Sequence, residues 1–268
     1  MFVDSHAHIT CDPVFDGLED VLARARAVGV EIIINVCTDK TTLDRGLALP
    51  QTYGAVYHIG ATTPHDVKSN GERHFPLFER AASEKRLVAI GETGLDYYYL
   101  HSPKKAQQEY LIRYCSLAQK YSLPLVVHCR GRDAFKDLFA LLEESLSDGG
   151  VALHCFTGGL DEAKMGVDRG WLISFSGIIT FTKSHELRRI AKCLPLENIL
   201  IETDTPYLAP QSKRGRVNEP SFIREVAQTI ADIKKISIED VATATKLNAV
   251  RFFRLEGDVV SRCEQGRP

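Results

Sequence analysis

No apolar run in the 268 residues approaches the length of a bilayer span. The opening stretch from Met1 to Leu18 carries Asp4, Asp12 and Asp16, with no basic flank and no unbroken apolar segment of signal-peptide length. A soluble, cytoplasmic protein without membrane association is expected. Neither sign of charge dominates: 33 Lys and Arg against 35 Asp and Glu give a net charge of -2. A polyanionic partner therefore has to be held by a local patch. The seven cysteines show no Cys-x-x-Cys spacing, which argues against both a disulfide framework and a thiolate zinc site. They are expected to be reduced, with Cys129 and Cys155 pointing away from the histidines that precede them, into the packing between strand and helix. Internal repeats and low-complexity tracts are missing too, and no long apolar strip calls for an obligate protein partner.

What is present is a regular alternation. Short runs rich in Val and Ile occupy Met1 to His6, Glu31 to Val36, Ala55 to Gly60, Leu87 to Gly91, Leu125 to His128, Val151 to Cys155, Trp171 to Phe175 and Asn198 to Glu202. Amphipathic segments lie between them, for example Gly17 to Ala27 and Pro103 to Tyr121, the second opened by Ser102 as N-cap and Pro103 in the first turn. Strands alternating with helices call for parallel pairing, and eight such units close naturally into an α/β fold of the (β/α)₈ TIM-barrel type. An open doubly wound sheet is the alternative, but it would gather its polar site at one switch point, whereas here polar residues end strands throughout the chain. Pro220 to Lys234 and Ser237 to Leu247 read as extra C-terminal helices, the latter opened by a capping box of Ser237 and Asp240. One domain over residues 1–256 is expected, with a frayed tail over 257–268.

The polar strand ends carry the chemistry. His6 and His8, two apart, point the same way from an extended strand end and suit one metal ion. Glu92 follows Val88 and Ile90 at matching parity, so it is expected to face inward with them, and its two oxygens can bridge two ions. His128 follows Val126 and His154 follows Ala152, which aims two further imidazoles inward for a second ion. Asp204 closes the last run two residues beyond Glu202, pairing a metal-touching carboxylate with a candidate supporting or proton-accepting one. So many polar groups cost too much to bury without a partner, and a metal centre answers that cost. Nitrogen and oxygen donors without sulfur fit Zn²⁺, Mn²⁺, Fe²⁺ or Mg²⁺. Two ions about 3.5–4 Å apart activate water and clamp attacking and leaving oxygens, which predicts hydrolysis. His58, His65, His74, His101 and His185 lack such support and read mostly as loop or surface residues.

The words around these ligands are specific. Asp4-Ser5-His6-Ala7-His8, Gly91-Glu92-Thr93-Gly94-Leu95-Asp96-Tyr97, His128-Cys129-Arg130, His154-Cys155-Phe156-Thr157-Gly158, Glu202-Thr203-Asp204-Thr205-Pro206-Tyr207 and Arg214-Gly215-Arg216-Val217-Asn218-Glu219-Pro220 together resemble the TatD family of metal-dependent deoxyribonucleases, from Met1 to about Leu255. The resemblance implies a barrel hydrolase with two divalent ions, often a 3′ to 5′ exonuclease acting on single-stranded or frayed DNA ends, and RNA is a further candidate substrate. It assigns His6, His8, Glu92 and Asp204 to one ion and Glu92, His128 and His154 to the other. Asp204, with Glu92 and Glu202, then forms the catalytic set around the water. The alternative reaction is hydrolysis of an amide or ester, including deacylation of aminoacyl-tRNA.

In one place the chain departs from the family pattern. Gly60-Ala61-Thr62-Thr63-Pro64-His65 has Thr63 where the family carries a histidine before the proline, in a turn that reads as longer, and His65 becomes a substitute candidate reaching in from a shifted loop. Phosphate recognition is expected from Arg130 and from Arg214 and Arg216, beside Lys213, at the same barrel end. Tyr97, Tyr98 and Tyr99 offer stacking surface for bases, or simple packing.

Overall fold

The computed structural model of the protein describes residues 1–49, 53, 55–147 and 149–255. Among these residues eight strands occur: β1 (Phe2–Ala7), β2 (Val30–Cys37), β3 (Ala55–Gly60), β4 (Ala89–Asp96), β5 (Leu125–Arg130), β6 (Val151–Leu153), β7 (Leu172–Phe175) and β8 (Ile199–Ile201). They pair in parallel, each with the next in sequence. Parallel neighbours need a crossover, supplied by α1 (Leu18–Ala27), α2 (Lys40–Leu47), α3 (Val67–Ser83), α4 (Lys104–Tyr121), α5 (Arg132–Ser145), α6 (Leu160–Asp168) and α7 (His185–Cys193). The expected barrel, nearly closed, is what forms. Two more helices, α8 (Ile223–Lys234) and α9 (Ile238–Phe252), follow the last strand.

Alternation along each strand feeds two cores. Ile34, Val36, Ile59, Ala89, Val126 and Ala152 fill the barrel, while Ile33, Ile90, Val127, Leu153 and Ile173 pack outward against the helices. Fully burying such a side chain is worth about 1.5–3 kcal/mol. Ala249 and Val250 of α9, with Phe253 and Leu255, join the inner set and close the floor where the strands begin. The other end, where the strands stop, is left for polar side chains.

The seam between β8 and β1 is held by bonds reaching beyond the short last strand. Ser5 Oγ donates to Ile201 O (2.9 Å), Asp204 N to His6 O (2.9 Å) and His8 N to Thr205 O (2.7 Å). Asp4 is fully buried and accepts from Thr203 N at 2.9 Å and Thr203 Oγ1 at 2.6 Å. The barrel is thus sealed directly beneath its polar mouth.

Local expectations fare unevenly. Ser237 and Asp240 form the expected capping box of α9, with Asp240 N donating to Ser237 Oγ at 3.0 Å. Ser102 does not cap α4: its hydroxyl donates to His65 O (2.7 Å) and accepts from Lys68 N (3.1 Å), so it ties down the start of α3 instead. Strand β4 runs on to Asp96 because its far half pairs with β5 at Thr93–Asp96, so Glu92 lies inside a strand instead of beyond one. The expected fraying of residues 257–268 lies outside the described residues.

Candidate metal centre

His6, His8, Glu92, His128, His154 and Asp204 converge at the open mouth from β1, β4, β5, β6 and β8 or the residues just after them. Plain alternation is enough on β5 and β6: Val126 and Ala152 point inward, and His128 and His154, two residues on, follow. On β1 and β4 it is not. Ile90 packs outward, so the expectation that it shares the face of Glu92 is incorrect. Register shifts between Ile90 and Thr93, and between Asp4 and Ala7, reset the alternation and turn Glu92 and His6 inward. Beyond Glu92 the chain passes hard against β5: at Gly94, with φ +142°, a Cβ would stand 1.9 Å from His128 O. Asp204 itself has φ +58°, a left-handed conformation that Asp tolerates better than most residues. The bonds from Asp204 N to His6 O (2.9 Å) and from Tyr207 N to Asp204 O (2.8 Å) fix it there.

The donor atoms form two groups that share Glu92. His6 Nε2 and His8 Nε2 are 3.3 Å apart. Glu92 Oε2 lies 3.5 and 3.6 Å from them, and Asp204 Oδ1 3.7 and 3.4 Å. Glu92 Oε1 lies 3.1 Å from both His128 Nδ1 and His154 Nε2, which are themselves 3.3 Å apart. Donors set tetrahedrally around an ion at about 2.0–2.1 Å stand roughly 3.3–3.4 Å from one another. Of the four donors in the first group, His6, His8 and Glu92 come close to this spacing, with Asp204 Oδ1 at 3.7 and 3.4 Å from the two rings. The second offers three, leaving a position for solvent or substrate.

Charge in the mouth points the same way. Burial pushes the His6 imidazole down to about 4, helped by repulsion from His154, which leaves a neutral ring able to donate a lone pair. Burial also opposes charge on His8, but Asp204, Cys11 and Glu92 outweigh it and raise that ring to about 10. His154 moves far upward against the same burial, drawn by Glu92 and Glu202. Glu92 is held well below the usual carboxylate range despite burial, chiefly by His154 and His128. Buried carboxylates here demand positive charge, and protons on imidazoles or a bound cation both meet that demand.

Behind this set stand Glu202, expected as a supporting or proton-accepting carboxylate, and Asp96 and Asn218, to which sequence reasoning gave no role. Asp96 Oδ2 stands 3.0 Å from His128 Nε2, while its Oδ1 accepts from Tyr98 N and Tyr99 N at 3.0 and 2.8 Å. A carboxylate on one nitrogen leaves the other, Nδ1, for the Glu92 side. Asp96 follows Glu92 at the same parity on one strand, and that was the available signal. Glu202 is fully buried: Oε1 accepts from Cys155 N (2.7 Å) and Oε2 from Ser174 Oγ (2.6 Å), with His154 Nδ1 3.4 Å from Oε1. Asn218, from the Asn218-Glu219-Pro220 word, donates to Thr203 O (2.7 Å) and Tyr207 O (2.6 Å) and pins the Asp204 turn between them.

Around these groups lies a cavity of about 730 Å³. Arg130 and His65 line it, and His65 Nε2 comes within 3.7 Å of Asp96 Oδ2, so the shifted loop does bring this histidine to the mouth. Arg214 is exposed and sits over the Phe181 ring at 4.5 Å. Arg216 is exposed and is not among the residues lining the cavity. Cys129 packs outward as expected. Cys155 does not: β6 ends at Leu153, Cys155 adopts φ +43°, and its side chain lies 3.3 Å from Ser176 Oγ on the cavity wall. Of the five histidines read mostly as loop or surface, His101 and His185 are exposed, whereas His74 is buried and His58 lies half-buried within β3, 3.2 Å from Asn35 Nδ2.

A family model described as TatD related DNase matches residues 3–254. The chain belongs to the TatD family. An uncharacterized metal-dependent hydrolase of Escherichia coli (strain K12), YcfH, is 38% identical over 262 residues, covering 95% of this chain and 96% of the relative. A TatD protein of Cronobacter turicensis, named as a 3′-5′ ssDNA/RNA exonuclease, is 31% identical over 256 residues, 93% of this chain and 97% of its own. Among solved structures, the TatD homolog YJJV of Escherichia coli superposes with a TM-score of 0.88 at 28% identity, covering 94% of this chain and 98% of that one. As a TatD protein the chain is a metal-dependent hydrolase.

Proposed function

We propose that this TatD protein hydrolyses phosphodiester bonds in nucleic acid, removing nucleotides from the 3′ end of single-stranded or frayed DNA, with RNA as a second substrate. The observation that carries this reading is the division of Glu92. One oxygen faces the His6 and His8 nitrogens and the other those of His128 and His154, so these residues, with Asp204, would hold two divalent cations and share Glu92 between them. Two divalent ions, Mg²⁺, Mn²⁺ or Zn²⁺, would acidify water and neutralise the phosphate. The naming of the Cronobacter relative as an exonuclease on single-stranded DNA and RNA supports the substrate.

The chain's own residues divide the rest of the work. Asp204, whose Oδ1 faces the His6 and His8 ring nitrogens, orients the attacking water and takes its proton. Asp96 and Glu202 hold His128 and His154 in the tautomers that present a lone pair to the mouth. Arg130 meets a phosphate oxygen from the cavity wall. Water adds to phosphorus, the bond to the 3′ oxygen breaks, and that oxygen takes up a proton.

The decisive assay follows product lengths from end-labelled single-stranded DNA, duplex DNA and RNA, with chelator and then with added Mn²⁺ or Mg²⁺. Stepwise shortening from the 3′ end, abolished by chelator and restored by metal, is expected. Asp204→Asn should lower kcat/KM at least about 100-fold. Good turnover of a carboxylic ester with none of any oligonucleotide would replace this reading with an esterase one.

A further inference from the structure

A second cavity, of about 400 Å³, opens beside the metal mouth and shares Arg130 and Thr157 with it. Its far wall holds Arg132 at the start of α5, Phe135, and the Gly158–Gly159 turn before α6. Among the described residues neither Arg130 nor Arg132 makes an ion pair. Arg130 is gripped by two rings instead, its guanidinium carbon 4.5 Å from the centroid of Tyr98 and 4.7 Å from that of Tyr99. The Tyr98 ring is 65% exposed beside this anchored cation, while the Tyr99 ring also stacks on His101, centroids 5.5 Å apart. The carboxylate on the wall, Glu162, accepts from Gly159 N at 3.0 Å and so is turned toward its own helix.

We propose that this cavity is a subsite for the phosphate of the nucleotide next to the one being cleaved, with Arg130 at the border and Arg132 as the residue that receives the second phosphate. The proposal rests on the phosphodiesterase reading above. Guanidinium groups pair with phosphate oxygens bidentately, and contacts to backbone phosphates set the register of a strand without reading its sequence. A strand crossing Arg130 places successive phosphates in successive cavities. The exposed ring of Tyr98, on the wall of this cavity, lies where an unstacked base needs a surface, and stacking of this kind tolerates any base. A neutral ester or amide of small size has no use for the second guanidinium. The subsite therefore makes the protein selective for chains over single nucleotides.

The test compares a single-stranded oligonucleotide with the p-nitrophenyl ester of thymidine 5′-phosphate, which has one phosphodiester and nothing to fill the second cavity. The Mn²⁺-loaded protein is the enzyme. Arg132→Ala should lower the ratio of kcat/KM for the oligonucleotide over that for the ester about tenfold, the size of one lost charged contact. Arg132→Glu should lower it further, and Arg132→Lys should restore part of it. Binding of a phosphorothioate oligonucleotide, read by anisotropy, should show a slope of log K against log salt shallower by about 0.7 in Arg132→Ala. Arg251→Ala, which removes an equal charge at an exposed position of α9 near the barrel floor, should move neither readout. A wild-type ratio and slope in Arg132→Ala would overturn the subsite and leave the phosphodiesterase reading standing. A wild-type enzyme inactive on both substrates with metal present would overturn both.

Discussion

At the scale of single residues, the site is a set of donors whose directions are fixed by residues that touch no substrate. Asp96 is the clearest case, because its Oδ2 takes one nitrogen of His128 and leaves the other beside Glu92. Asp96→Asn keeps the shape but presents either an amide N–H or a weaker acceptor to that ring. Activity and metal affinity should each fall about 10–100-fold. Titration calorimetry of Mn²⁺ binding alongside turnover checks this, and unchanged affinity would show that Asp96 does not position His128. Much of this scale was legible beforehand: His6, His8, Glu92, His128, His154 and Asp204 stand out as polar residues at the ends of apolar runs. Of the residues behind them, Glu202 was legible as a supporting carboxylate, but Asp96 was not. Whether Cys155 turns outward, or His65 reaches Asp96, depends on φ angles and loop paths that neighbouring residue types do not encode.

At the scale of elements, eight apolar runs announced eight strands, and the capping box of α9 was readable from Ser237 and Asp240. Strand β4 was misjudged, and with it the reason Glu92 faces inward. Its register shift at Ile90/Thr93 and the close passage of Gly94 against β5 belong to one feature. A side chain at residue 94 would meet the His128 carbonyl at 1.9 Å, from a backbone angle of φ +142° that L residues rarely adopt. Gly94→Ala should therefore force β4 and β5 apart and move Glu92 and His128 together. A loss of at least about 2 kcal/mol in urea unfolding is expected, with activity lost more steeply than stability. A variant with wild-type unfolding and wild-type turnover would contradict the tight passage.

At the scale of the whole molecule, the candidate donors come from both sides of the seam between the first and last strands, so ion binding there would be coupled to barrel closure. His6 and Asp204 face each other across that seam, above the Asp4 to Thr203 bonds that seal it. Ions that bind only the folded barrel must raise its stability, by about 2.7 kcal/mol at a concentration 100 times the dissociation constant. Calorimetric melting should show Tm rising with Mn²⁺ and falling on chelation. In Glu92→Gln, which removes the shared carboxylate, most of that rise should vanish. A melting temperature indifferent to metal in the wild type would mean that the two donor groups do not hold ions.

The order of strands and helices, the barrel they close and the inventory of candidate metal donors were determined by the sequence alone, because hydrophobic periodicity and residue chemistry are local properties of a chain. Tertiary structure decided which oxygen of Glu92 meets which pair of imidazoles, which carboxylates stand behind them, and where Arg132 and Tyr98 line a second cavity. Those outcomes depend on the register between neighbouring strands and on closing the last strand against the first. Both are set by hydrogen bonds between residues far apart in sequence, such as Asp4 and Thr203, which no local pattern records.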